Sequence, residues 1–394
     1  MLNRRILRVK AMQGLYAYYN SMDANYNLSV DLINENFSNQ LLNDHSLDKK
    51  EIDRKRRQSV KLFQDAVRKG EFKIQGEPPD EPESLSKEFY DRYVNAVKKD
   101  LAYFRKNMIS EAERIFDFYL LFLKLPVEVA RHEIEEAAEK EDVKTRKKPV
   151  EMLNHSGFLK ENKIIRRLET DKHLEKICQE KKISWKKYSD APWDLYKNQV
   201  KKDKEYQKYK GTVKRTLEED RNFCLHFYKN ILFKNGMFND FMESTDINWF
   251  EDSEVLRSMV IKTIKSLDEK DQVIEFSSLS KNWPEDREFF RDIFDHTVGH
   301  DREYDEIISQ KSKNWDITRI ALTDRIILKM AIGEMINFPG IPVKVTINEY
   351  IELSKNFSTP KSKKFVNGIL DVVSAELIEK GVIKKSGRGL IDNQ

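Results

Sequence analysis

The last third of the sequence places apolar residues at three- and four-residue spacing, in stretches that end at proline or glycine. A first helix is predicted to begin at Asp316, a suitable N-cap residue, and to end before Pro339-Gly340. A second helix covers Val345–Phe357, and a third begins after Ser358 and ends at Gly381. The apolar side chains that the first helix turns inward are Ile320, Ile327, Leu328, Ala331, Ile332 and Met335. Three helices joined by short loops must pack side by side, so a helical bundle is predicted here.

The remaining sequence has the same helical character. Only 13 glycines and 10 prolines interrupt the 394 residues, which favours long helices, and the first helix is predicted to begin at Asn3. Further helices are predicted at Val30–Leu42, Ser86–Leu125, Pro126–Glu141, Val213–Phe238, Asp252–Leu267 and Glu288–Ile308. Strand patterns are weak and confined to short pieces such as Gln272–Phe276. The predicted fold class is therefore all-α.

Charge and cysteine content exclude several classes of protein. Lys and Arg number 71 against 67 for Asp and Glu, so the net charge of +4 commits the chain to no partner and local clusters must be sought. Cys178 and Cys224 fit neither a metal motif nor a disulfide framework, which favours a reducing cytoplasm. The most apolar run, Phe116–Leu125, is too short to span a membrane, and the N-terminal segment lacks a continuous signal core. A cytoplasmic protein without a membrane segment is expected.

Three stretches in the first half are less regular. Gly76–Pro82 has the composition of a turn-rich linker, and Glu139–Pro149 is a run of mixed charge that ends in proline. Lys181–Lys210 alternates lysines with six aromatic residues, Trp185, Tyr188, Trp193, Tyr196, Tyr206 and Tyr209. Solvated helices with their rings in a core are the favoured interpretation of that stretch. Base stacking on RNA is the alternative.

Three segments near the C-terminus carry a specific pattern. They are Trp315–Ala331 (WDITRIALTDRIILKMA), Ile341–Lys355 (IPVKVTINEYIELSK) and Lys364–Asp371 (KFVNGILD). In this order they resemble the NusB family, and the opening residues Arg4-Arg5, Arg8, Gln13, Leu15 and Tyr16 resemble that family's first helix. The resemblance covers about residues 1–20 and 285–380. It implies NusB-like helical bundles with a large, mostly helical insertion: residues 1–20 as the first helix of the core, 21–212 as the insertion and 213–394 as the rest of the core.

The resemblance also implies a function. NusB family proteins are transcription antitermination factors that bind boxA-type RNA, together with a NusE-like ribosomal protein, during ribosomal RNA transcription. We therefore expect single-stranded boxA-type RNA, such a ribosomal protein and the transcription elongation complex as partners. No cofactor is expected.

The family match assigns RNA binding to two clusters of residues. They are Arg4, Arg5, Arg8 and Gln13 on the first helix and Lys361, Lys363, Lys364 and Phe365 at the start of the last one. Arginines on one helix edge suit phosphates, and lysines at a helix N-terminus add to the positive end of the helix dipole. For the arginines the alternative is simple solvation of a terminal helix. For Phe365 it is core packing beside Ile369 and Val372.

Other motif residues are given partner or packing roles. Tyr16 and Asp324 match family positions that hold the protein partner, although core packing is the alternative for Tyr16. Asn348 and Asn367 are interpreted as buried organisers of hydrogen bonds, and Gly368 as a site where two helices approach closely.

No catalytic or metal site is predicted. His296 and His300 lie one helical turn apart, but the residue after His296 is Thr297 where an HExxH motif has Glu. A second hypothesis is a relative of the RNA cytosine methyltransferases that carry a NusB-like domain. It lacks support because neither cysteine follows a proline. A third is a protein-interaction scaffold that has lost RNA binding.

Overall fold

The computed structural model describes residues 1–43, 46, 48–74, 78–144, 157–188, 190–212, 214–268, 273–311 and 320–393. Within these ranges every regular element is a helix and no strand occurs, so the predicted all-α class is confirmed. The α-helices are α1 (Arg4–Asn43), α2 (Lys49–Lys69), α3 (Glu81–Lys144), α4 (Lys163–Thr170), α5 (Lys172–Glu180), α6 (Asp190–Asn198), α7 (Lys204–Lys210), α8 (Leu217–His226), α9 (Gly236–Thr245), α10 (Trp249–Ser266), α11 (Trp283–Gly299), α12 (Asp301–Lys311), α13 (Leu322–Asn337), α14 (Val343–Phe357) and α15 (Ser362–Glu379). Short 3₁₀ turns occur at Trp185–Tyr188, Val200–Lys202 and Gly387–Asn393, and a π-helical turn at Phe227–Leu232.

The chain divides into two compact units. The central unit contains Met1–Asn3 and Ser110–Asp286, and the terminal unit contains Arg4–Ile109 and Arg287–Gln394. No helix among the described residues combines the length and apolar character needed to cross a bilayer.

In the central unit, α3 continues through Pro126 instead of ending there. The predicted break before Pro126 is therefore wrong. Proline removes the amide that would bond the carbonyl four residues earlier, and here the hydroxyl of Tyr228 donates to that carbonyl, on Phe122, at 2.8 Å. The indole of Trp185 donates to the neighbouring carbonyl of Leu121 at 2.7 Å. The Tyr228 hydroxyl thus replaces the backbone hydrogen bond that Pro126 cannot make.

The core of the central unit is rich in aromatic rings. The Phe122 ring lies 6.0 Å from the Trp185 ring and 5.7 Å from the Trp249 ring, measured between centroids. Trp185, Tyr196, Tyr206 and Tyr209 of the lysine-rich stretch are all buried. The interpretation of that stretch as solvated helices with core rings is confirmed for these four residues.

In the terminal unit, α13, α14 and α15 pack against one another, as the periodicity predicts. The six inward-facing side chains predicted for the first of these helices are all buried. The predicted N-cap, Asp316, lies outside the described residues, and α13 begins at Leu322. The second and third helices begin within a few residues of the predicted positions.

Helix α1 is longer than predicted, and α2 has no counterpart in the prediction. The polar residues between Tyr19 and Val30 hide the continuity of α1, which joins two predicted helices into one. Its C-terminal half packs with α2 and the start of α3 around a small apolar cluster. The members of this cluster are Ile33, Phe37, Ile52, Phe63, Ala66, Phe89 and Tyr90.

Smaller differences concern strands and loops. Of the weak strand pattern at Gln272–Phe276, the first residue lies outside the described residues and 273–276 form no strand. Of the predicted linkers, Gly76–Pro82 is described from residue 78 on and its last two residues begin α3. Residues 139–144 of the Glu139–Pro149 run form the end of α3, and 145–149 lie outside the described residues. The long predicted helix at Val213–Phe238 consists of α8, the π-helical turn and the start of α9. The assignment of 1–20, 21–212 and 213–394 to core, insertion and core stays a prediction.

Candidate nucleic-acid interface

Arg8 lies in the interior of the terminal unit. The residue is 3% exposed, and its Nε and Nη2 donate to the two carboxylate oxygens of Glu334 at 2.7 and 2.8 Å. Hydroxyl groups of Thr346 and Tyr350 donate to the same carboxylate at 2.8 and 3.1 Å. Burial opposes the charge of Arg8, but the hydrogen bonds and charge of Glu334 outweigh this and raise the pKa of Arg8 above its ordinary value.

The predicted contact of Arg8 with an RNA phosphate is therefore wrong. A guanidinium enclosed by a buried carboxylate cannot reach a phosphate without breaking the pair. The sequence pattern could not reveal this, because Arg8 shares a helix edge with Arg4 while its partner lies 326 positions away. Arg8 instead fixes the start of α1 against α13, which carries Glu334, and α14, which carries Tyr350.

Arg5, in contrast, lies at the surface. Its side chain is 57% exposed, and its Nε and Nη2 donate to the carboxylate of Glu349 at 2.9 and 2.8 Å. The hydrogen bond from Arg5 is the main cause of a lowered pKa at Glu349, which partial burial opposes. A guanidinium has five N–H donors, so a bidentate pair leaves donors that a phosphate oxygen can accept from. The geometry is compatible with a phosphate contact at Arg5.

The other two candidates on α1 are partly buried. The guanidinium of Arg4 lies over the ring of Phe289, with 4.7 Å between its carbon and the ring centroid. Gln13 is half-buried and interacts within the protein. Arg4 and Gln13 could therefore contact RNA only through the exposed part of each side chain.

The start of α15 presents three exposed lysines, Lys361, Lys363 and Lys364. Between them Ser362 is buried, and its hydroxyl donates to Asp324 at 2.6 Å. Phe365 is half-buried and makes contacts within the protein, so it matches neither a fully exposed stacking ring nor a fully buried core residue. The buried serine fixes this turn so that its lysines face solvent.

The two cationic clusters approach the same carboxylate. Arg5 on α1 and Lys363 on α15 both act electrostatically on Glu352 of α14, and both lower its pKa after the larger effect of its hydrogen bond from Lys355. In the terminal unit Arg5 pairs with Glu349 on α14, and α15, which carries the three lysines, packs against the same helix. We call the exposed residues Arg5, Lys361, Lys363 and Lys364 the cationic edge.

The two predicted partner-binding residues differ in exposure. Tyr16 is 46% exposed on α1 and is available to a partner. Asp324 is 6% exposed, so the expectation of direct partner contact is wrong for it. One of its oxygens accepts from Ser362, and the other is buried without a hydrogen-bond partner. Asp324 therefore holds the first turn of α15.

The packing roles predicted from the motifs also need correction. Asn348 is exposed, and Asn367 donates to Asp371 within α15 at 2.8 Å, so neither organises a buried network. A Cβ at Gly368 would meet nothing within 4 Å, and close helix approach at this position is excluded. The close approach is instead at Gly333, where a Cβ would lie 3.3 Å from the ring of Tyr304.

His296, near the end of α11, and His300, which follows that helix, are not part of a larger ligand cluster among the described residues. The rings of His296 and His300 lie 6.2 Å apart, and His300 forms a hydrogen bond with Glu303 at 3.0 Å. In the part of the chain that the structure describes, no three His, Cys, Asp or Glu side chains form a candidate metal site.

The C-terminal part of the chain is similar to proteins of a known family. The model of the NusB family matches residues 251–375. The transcription antitermination protein NusB of Chloroherpeton thalassium is 47% identical over 91 residues, which are 23% of this chain and 43% of that protein. The NusB of Salinibacter ruber is 47% identical over 89 residues, covering 23% of this chain and 56% of that protein. The NusB of Dictyoglomus turgidum is 44% identical over 88 residues, covering 22% and 59%.

The chain spans about half the length of the curated relatives it matches. Among solved structures, T. maritima NusB is 28% identical and has a TM-score of 0.23, covering 40% of this chain and 90% of that one. Residues 251–375 thus match the model of the NusB family, and the chain carries a large additional region before the matched residues. The first helix, which the sequence analysis also assigns to the family, lies outside the range of the family model.

Proposed function

From the match of residues 251–375 to the NusB family model, we propose that this chain is a transcription antitermination factor that binds single-stranded boxA-type RNA with a NusE-like ribosomal protein. The observation that supports this best is that Arg5 pairs with Glu349 on α14, while α14 packs against α15, whose first turn carries Lys363. Cations from both ends of the sequence can then contact one strand. The protein acts by binding and assembly and catalyses no reaction.

The cationic edge supplies the phosphate contacts in this proposal. Lys361, Lys363 and Lys364 act as point charges beside the positive end of α15. Arg5 keeps its pair with Glu349 and engages a phosphate with its remaining donors. The two nearby carboxylates, Glu349 and Glu352, keep the cations in place and reduce non-specific attraction to other anions.

Arg8 and Asp324 do not contact RNA in this proposal but position the residues that do. The buried pair of Arg8 with Glu334 sets the angle at which α1 leaves the bundle, and so the place of Arg5. Asp324 fixes the turn that presents Lys361 and Lys363. Tyr16, exposed on the same helix as Arg5, is the residue that we assign to the contact with the ribosomal protein.

Equilibrium binding of a boxA-type RNA and a scrambled RNA of equal composition tests the proposal, with and without the purified ribosomal protein. We expect the boxA-type RNA to bind more tightly, and more so with the partner. In the double variant Arg5→Gln/Lys363→Gln, the slope of log affinity against log salt should become shallower by about 1.4, or about 0.7 for each lost phosphate contact. The matched control Lys98→Gln/Lys99→Gln removes the same charge from exposed positions on α3 and should leave the slope unchanged.

Two results would contradict the proposal. One is equal affinity for both RNAs in the presence and absence of the partner. The other is the same loss of affinity in the control as in the cationic-edge variant, which would reduce the effect to net charge.

A further inference from the structure

Helix α2 carries a straight row of cations on its exposed face. Lys50, Arg54, Arg57 and Lys61 follow one another at spacings of four, three and four residues, and all are exposed. At about 100° per residue they fall within an arc of about 60°, along about 16 Å of helix. We call these four residues the α2 stripe.

The α2 stripe is not neutralised by the surrounding protein. None of its members forms an ion pair with a described residue, whereas Lys55 and Arg56, which point to the sides, pair with Glu81 and Asp53. The exposed residues of α2 include no apolar side chain, and Glu51 is the one exposed acid among them. Four positive charges in one row repel one another and create a local positive potential that attracts an anionic partner.

The helix is held firmly with this face outward. Its buried residues, Ile52, Ser59, Phe63 and Ala66, lie opposite the stripe and pack into the cluster with α1 and α3. At its C-terminus Gly70 adopts φ 79°, and Arg302 donates to the carbonyls of Lys69 and Val67 at 3.1 and 3.4 Å. The orientation of the stripe is therefore fixed by packing and capping.

We infer that the α2 stripe is a second RNA-backbone site, which binds the strand that extends beyond the segment held by the cationic edge. This inference rests on the proposed function. A row of cations without apolar neighbours suits a repeating phosphate chain. An interfacial membrane helix would need its apolar face free, but in α2 that face is buried, and a protein interface would need an apolar centre, which the stripe lacks.

The length of RNA required follows from the helices. The ring of Phe63 on α2 lies 5.6 Å from that of Tyr26 on α1, which is about 30 Å along α1 from Arg5. Arg56 contacts Asn34, farther along α1, so α2 runs antiparallel and Lys50 is its far end. At about 3.4 Å per stacked nucleotide, a strand from Arg5 needs about nine nucleotides to reach the stripe.

Binding of two RNAs by the full chain tests the inference. One is a boxA-type RNA of about 8 nucleotides, too short to reach the stripe from Arg5, and the other carries about 20 further uridines at either end, enough to reach and cover the stripe. The test variant is Lys50→Gln/Arg54→Gln/Arg57→Gln/Lys61→Gln. The control Lys172→Gln/Lys186→Gln/Lys197→Gln/Lys208→Gln removes the same charge from exposed lysines of the central unit. Circular dichroism verifies that both variants fold.

We expect the extended RNA to bind the wild type at least tenfold more tightly than the short RNA. The test variant should lose this gain, with a salt slope shallower by up to about 3, while its affinity for the short RNA is unchanged. Equal losses in test and control variants, or an undiminished gain in the test variant, would overturn the inference while leaving the proposed function intact. Stripe-dependent binding to phosphatidylserine vesicles without any effect on RNA would overturn it in favour of a membrane. If neither RNA binds, the proposed function itself fails.

Discussion

The buried pair between Arg8 and Glu334 allows a direct separation of structure from binding. Arg8 is 3% exposed and Glu334 1%, and the carboxylate accepts four hydrogen bonds in all. Removing the guanidinium in Arg8→Met leaves the carboxylate buried with two hydroxyl donors and no counter-charge. Loss of one partner of such a pair costs about 3–5 kcal/mol of unfolding free energy. The same loss of unfolding free energy is expected for Glu334→Met, which leaves the guanidinium of Arg8 buried without a counter-charge.

The double variant Arg8→Met/Glu334→Met should cost less than the sum of the single variants. Once one charge is gone, removing the other relieves an unpaired buried group, so a coupling of about 2–3 kcal/mol is expected. Urea unfolding followed by circular dichroism measures all four proteins. Arg5→Met is the matched surface variant, and its exposed pair should contribute less than about 1 kcal/mol.

Two results would refute this reasoning. Additive costs in the double variant would mean that the two side chains do not depend on each other. A stable Arg8→Met protein with strongly reduced RNA affinity would mean that Arg8 contacts RNA after all, and that the buried geometry does not describe the protein in solution.

Three further predictions follow from single contacts. The pKa of Glu349 is lowered in the folded state, so its pair with Arg5 contributes its full stability above the unfolded pKa of about 4.3. This contribution disappears as pH falls through the lowered folded-state pKa, and the urea stabilities of wild type and Arg5→Met should converge there. Tyr228→Phe should lower the free energy of unfolding by about 1–3 kcal/mol. The loss should be smaller in a Pro126→Ala background, because alanine restores the missing amide donor. Equal losses in both backgrounds would contradict the role given to Tyr228. Gly368→Ala should raise the melting temperature and stabilise by about 0.5–1 kcal/mol, since a Cβ there meets nothing within 4 Å, and destabilisation would show that the glycine is needed for packing.

The sequence predicts the bundle of α13–α15 well because the apolar periodicity there is dense and proline and glycine mark its ends. It misses α2 because that helix has few apolar residues among many cations, so its pattern is hard to distinguish from a solvated charge run. It divides α3 at Pro126 because no local pattern can show that a distant tyrosine will satisfy the freed carbonyl. These elements depend on tertiary contacts.

Some residues of the candidate site can likewise be predicted from the sequence, and others cannot. Sequence reasoning finds the exposed lysines of α15 and Arg5, whose roles depend on charge and position along one helix. It cannot separate Arg5 from Arg8, three residues later, because their partners Glu349 and Glu334 are more than three hundred positions away. A buried carboxylate decides which arginine faces solvent, and only the fold brings that carboxylate to α1.

The central claim is that α1 and the start of α15 together form the RNA surface. Ultraviolet cross-linking of a boxA-type RNA to the full chain, followed by mass spectrometry of the linked peptides, tests it most directly. We predict cross-links to the peptide that contains Lys361, Lys363, Lys364 and Phe365 and to the first turns of α1 near Arg5. Cross-links confined to residues 110–286, with none at either of these sites, would contradict the account.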